Sequence, residues 1–86
     1  MVDEPHTLVT EIVSMLADGS LRISESVVMK NVSPGVTVWT AEPGSKDYID
    51  FQSRHGVSKI GQTSIIRKEL RDGVWSETQT KEGDWD

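Results

Sequence analysis

At 86 residues, with 35% hydrophobic side chains and a net charge of −5, the chain suffices for one compact domain and is too short for two. It contains no cysteine, which excludes disulfide frameworks, thiolate zinc sites and cysteine nucleophiles. The acidic balance disfavours nonspecific nucleic-acid binding, whose affinity comes mostly from Lys and Arg neutralising phosphates.

The charges are unevenly spread: residues 76–86 hold four acids and one lysine, whereas residues 43–75 hold six bases and four acids. Even with its seven glycines added, the apolar share falls slightly below the ~45–50% of ordinary globular domains. Modest stability follows, or a homodimer interface that supplies the missing burial. No run of apolar residues approaches the ~18 that a membrane span requires. The start "MVDEPH" carries acids where a secretion signal needs a basic and then an apolar region, so a cytoplasmic protein is expected.

In "DEPHTLVTEIVSMLADG", Leu8, Ile12, Met15 and Leu16 recur at helical spacing, with Val9 and Val13 widening the stripe. Asp3 or Glu4 complements a helix N-terminus, Pro5 suits a first turn and Gly19 a left-handed cap, so this segment is expected to be a helix. The pattern then changes to period 2. Leu21, Ile23, Val27 and Met29 share a strand face that Glu25 interrupts, which suggests a bulge or an edge.

"SPGV" fits a type II turn leading into the strand "VTVWTA", and "EPGS" repeats the device before "KDYIDFQSR", read as a further strand. "HGVSKIGQTS" fits a mobile loop or a brief edge strand. "SIIRKELRDG" reads as a strand, with Asp72-Gly73 turning into "VWSETQT", although a short helix ended by Gly73 fits too. The expected fold is therefore α+β: an N-terminal helix packed on a four- to five-stranded antiparallel sheet, a β-meander with Pro-Gly and Asp-Gly hairpins. Residues 1–80 form the single domain and 81–86 an acidic C-terminal tail.

Candidate chemistry is sparse. "SRHGVSK" places Arg54, His55 and Lys59 on a glycine-bearing segment that could hold a phosphate or carboxylate, but it lacks the spacing of a phosphate loop. His55 has Ser53, Ser58 and Asp50 nearby in sequence, yet residues so close on a turning chain rarely give nucleophile and base their geometry. Asp47 and Asp50 differ in parity, which on a strand would put them on opposite faces. Two histidines far apart and no cysteine give no metal-ligand spacing, and no cofactor is implied. Arg67 and Arg71 alternate with Glu69, a balanced surface more than a phosphate track.

Three tryptophans are many for this length. Trp39 and Trp75 lie in β-rich segments where cross-strand packing accounts for them. Trp85, flanked by Asp84 and Asp86, reads as the anchor of a docking tail that folds back on its own sheet, crosses to a second copy or engages another protein. The sequence thus points to a small acidic, non-catalytic protein-protein interaction or regulatory module, binding a larger partner through a sheet edge, a loop or the acidic-aromatic tail. The competing expectation is a small anionic-ligand-binding or enzymatic domain with its site at a dimer interface around the 53–59 loop.

Overall fold

The computed structural model describes residues 6–30 and 32–85. Strands β1 (Thr7–Met15), β2 (Leu21–Met29) and β3 (Val32–Ala41) come first, then helix α1 (Lys46–His55), then β4 (Gln62–Arg71) and β5 (Val74–Gly83). They form one sheet in the order β3-β2-β1-β4-β5, antiparallel at every pairing. The helix lies in the connection that carries the chain from β3, at one edge, past β2 and β1 to β4.

The expected N-terminal helix is therefore wrong: its apolar stripe belongs to the central strand β1. β1 is central in the sheet but buried on the helix side alone, at Glu11 and Val13; Leu8 and Ile12 lie half-buried on the other face, so apolar residues occur at both parities, and Leu8 with Ile12 and Val9 with Val13 mimic helical spacing. The β-branched Thr7, Val9, Thr10, Ile12 and Val13 lose rotamer freedom in a helix and fit a pleated strand. Asp3, Glu4 and Pro5, taken as its N-terminal signals, lie outside the described residues.

The segment "KDYIDFQSR", expected as a strand, is the helix instead. Ser45 caps it, accepting a hydrogen bond from the Tyr48 N–H at 3.3 Å; Asp47 lies in its first turn, and Arg54 and His55 in its last. Gly56, at φ 75°, closes it by donating its N–H to the Gln52 carbonyl at 2.7 Å. Tyr48, Phe51 and His55 share the sheet-facing side, whereas Ile49 is exposed.

The two Pro-Gly pairs also part company. Ser33–Val36 lie within β3, and Gly35 does not have the positive φ that a type II turn demands; the chain reverses earlier, and the β2–β3 register shifts between Val27 and Met29. Gly44, at φ 87°, does turn the chain, into α1. Asp72 and Gly73, at φ 53° and 77°, form the tight turn between β4 and β5.

The core lies between α1 and one end of the sheet: Val13, Leu21, Ile23, Ala41, Phe51 and Val57 are buried, with Met15, Trp39, Tyr48 and Trp85 packed around them. The turn between β1 and β2 is tied by Asp18, whose carboxylate accepts hydrogen bonds from the Ser20 hydroxyl and N–H. The Ser20 hydroxyl, and then its N–H, hold that carboxyl below its ordinary range, so the support it gives is present at neutral pH and is lost on acidification.

At the far end of β5, Gly83 adopts φ 89°, and a Cβ there would overlap the Gly61 carbonyl oxygen. Gly83→Ala should cost about 1–3 kcal/mol. Gly35→Ala, where an added Cβ meets nothing within 4 Å, should stay within about 0.5 kcal/mol. Urea midpoints for the two variants check this contrast.

Candidate functional site

The face of the sheet beneath α1 carries a buried polar relay. β1 puts Glu11 on this face, β4 contributes Ser64, β5 Gln79, and the last turn of α1 brings Arg54 and His55 over them. Ser64 is fully buried, and His55 and Glu11 nearly so. His55 Nε2 lies 2.6 Å from Glu11 Oε1, and Nδ1 lies 2.8 Å from Ser64 Oγ. Gln79 Nε2 donates to Ser64 Oγ at 2.9 Å and to the His55 carbonyl at 3.1 Å, and Arg54 Nη2 lies 3.3 Å from Glu11 Oε1.

One proton arrangement fits every atom. Nε2–H donates to the Glu11 carboxylate, the Ser64 hydroxyl donates to Nδ1, and Gln79 donates to the Ser64 oxygen. Among the described residues no buried side-chain nitrogen or oxygen lacks a partner.

Serine, imidazole and carboxylate in series are the components of an acyl-transfer triad, so access decides what they do. A reacting carbonyl must come within about 3 Å of the serine oxygen, and Ser64 has 0% of its surface exposed. The adjoining cavity, about 270 Å³, is lined by Glu11, Arg54, Ile66, Lys68, Glu77 and Gln79, so it meets the carboxylate end of the relay and not the hydroxyl. In this structure the relay acts as a clamp that fastens α1 to β1 and β4.

The anion-binding trio expected from the sequence is distributed differently. His55 has both ring nitrogens engaged within the relay. Arg54 pairs with Glu11 and lies over the Phe51 ring, its guanidinium carbon 4.6 Å from the centroid. Lys59 sits in the following loop, where its N–H and that of Ser58 donate to Gln62 Oε1. That segment, expected as a mobile loop or a brief edge strand, is a loop pinned by the fully buried Val57. Among the described residues no cluster of three His, Asp or Glu side chains is arranged to hold a metal ion.

Trp85 lies just beyond the end of β5 and folds onto its own chain. Its indole N–H points at the carbonyls of Thr63 (3.1 Å) and Glu82 (2.7 Å), and the Lys81 ammonium is 4.7 Å from the ring centroid. Asp84 is exposed, its carbonyl accepting a hydrogen bond from Gln62 Nε2, and Asp86 lies outside the described residues. Trp85→Phe keeps most of the ring but loses the donor and should cost about 1 kcal/mol. Trp85→Ala also loses apolar contact with the core and should cost about 2–3 kcal/mol, both read from denaturant midpoints.

Beyond the reach of α1 the same sheet face is bare: Val9, Lys68, Trp75, Ser76 and Glu77 border an open depression, and Trp75 is 55% exposed. The two sheet edges differ sharply. β5 carries Glu77, Lys81 and Glu82, whereas residues 31–41, which include all of β3, contain no charged residue. Val36 is 67% and Val38 49% exposed, on the face opposite the helix. Charge on an edge strand blocks pairing with further strands, and β3 has none.

Sequence reasoning missed Glu11 because its strand was taken for a helix, and missed the Glu11–His55 pair because 44 residues separate them. The spacing of Tyr48, Phe51 and His55 was the available sign that this histidine faces inward. No protein-family profile, curated protein or solved structure matches the chain, so function has to be read from the residues themselves.

Proposed function

We propose that this protein is a non-catalytic protein-interaction module that binds by strand addition at β3. The observation supporting it is the asymmetry of the edges: β3 is exposed, β-branched and uncharged, while β5 is guarded by charge. Main-chain groups along an unpaired edge give a partner strand its affinity, and alternate side chains give it specificity. Of the three routes open to such a module, the tail is the least available, because Trp85 is engaged with its own sheet. The cytoplasmic setting expected from the sequence is kept as part of this proposal; no helix among the described residues is long and apolar enough to cross a membrane.

A soluble, lysine-flanked peptide of alternating valine and threonine serves as a generic strand probe. Titrated into dilute isotope-labelled protein, it should shift and protect backbone amides of β3 and leave those of β5 unchanged. Equal response at both edges, or none at β3, would reject strand addition.

A further inference from the structure

We propose that the strand added to β3 is β3 of a second copy, running antiparallel about a two-fold axis at Thr37 and joining two sheets into one. This rests on the strand-addition reading and names its partner.

A two-fold interface must be complementary to itself, and β3 is. With the axis at Thr37, that residue faces Thr37 of the partner subunit, a favourable cross-strand pair. Val36 faces Val38 of the partner subunit, and the reverse, so four exposed valines form one apolar cluster on the face away from the helix. On the helix side Gly35 faces Trp39 of the partner subunit. Gly35 has open space where a Cβ would stand, which leaves room beside a neighbouring indole. Pro34 has no N–H to donate, so the pairing extends from Gly35 to Trp39 and its register is set at that end.

Charge argues for the same partner. Two copies of net charge −5 repel over most of their surfaces, and residues 31–41 are where they meet without opposing like charges. So short a pairing buries less than the ~1,200 Å² of a standard stable interface, so the dimer is concentration-dependent.

Sedimentation across a concentration series should show the mass rising from the 9.6 kDa monomer toward twice that value. The double substitution Val36→Lys and Val38→Lys should hold the chain at the monomer mass with unchanged circular dichroism. Thr78→Lys with Thr80→Lys on the other edge should leave the dimer intact. Because the chain lacks cysteine, Thr37→Cys should give a cross-linked dimer under mild oxidation where Thr80→Cys gives none, and this arm survives if the lysine variant misfolds. A monomer at every concentration, a dimer indifferent to the β3 lysines, or cross-linking equal at both positions would overturn self-pairing. If self-pairing fails while the strand peptide still shifts β3 amides, strand addition stands with another partner; if both fail, both readings fall.

Discussion

Replacing Glu11 with alanine should destabilise the fold by about 1–3 kcal/mol, the cost of leaving a buried donor without its acceptor. The His55 ring, with none of its side chain exposed, would lose the acceptor for Nε2–H, and water entering from the adjoining cavity that Glu11 lines would offset only part of that loss. For a chain of this length total stability is about 4–13 kcal/mol, so the variant should stay folded with a clearly lowered urea midpoint. Urea unfolding followed by tryptophan fluorescence measures it, and a cost under ~1 kcal/mol would mean the relay is ornamental. Glu11→Gln keeps an oxygen for Nε2–H and should fall between wild type and alanine. Arg54→Ala should cost less than ~1 kcal/mol, since its side chain is 47% exposed and its pairing with Glu11 is screened by water.

Phe51→Ala should cost more, ~3–5 kcal/mol, by a different route. The Phe51 ring meets Trp39 edge-on at 5.7 Å between centroids, stacks on His55 at 6.4 Å and lies under the Arg54 guanidinium, so its removal leaves a cavity where the helix meets the sheet. Ile49→Ala, on the outward side of the same helix, should stay within ~0.5 kcal/mol. Phe51→Ala and His55→Ala act on one contact surface, so the double variant should lose less than the two single losses added together. Strict additivity in that cycle would show that ring and relay hold the helix independently.

Local chemistry was legible in the sequence where one turn decides it, and misleading where a pattern has two solutions. Asp72-Gly73 can be read directly because two consecutive positive φ angles suit few residue pairs. The segment Leu8–Met15 misleads because this strand carries apolar residues on its open face as well as under the helix, so it lacks simple alternation and its apolar residues also satisfy a helical stripe. The opposite error at Lys46–His55 came from weighting the parity of Ile49 and Phe51 above the Ser45 cap and the Gly56 stop, which mark a helix at both ends. The relay was beyond reach because its members come from four elements, and strand order is fixed by burial summed over the whole sheet. For the same reason the sequence showed a neutral stretch at 31–41 but not that it would lie at an edge.

The hydrogen-bonded seam between β1 and β4, running from Thr7 opposite Leu70 to Ser14 opposite Thr63, has a kinetic consequence. On one side lie three strands joined by tight reversals; on the other lies a single hairpin, and each half can begin to form from near neighbours alone. The seam closes a long loop, so its entropy cost precedes its reward, and it should be the late, rate-limiting step of folding. Glu11 belongs to one half, Ser64 and Gln79 to the other, and His55 to the helix that links them, so the relay is complete only when the halves meet. Substitutions there should therefore slow refolding as well as speed unfolding.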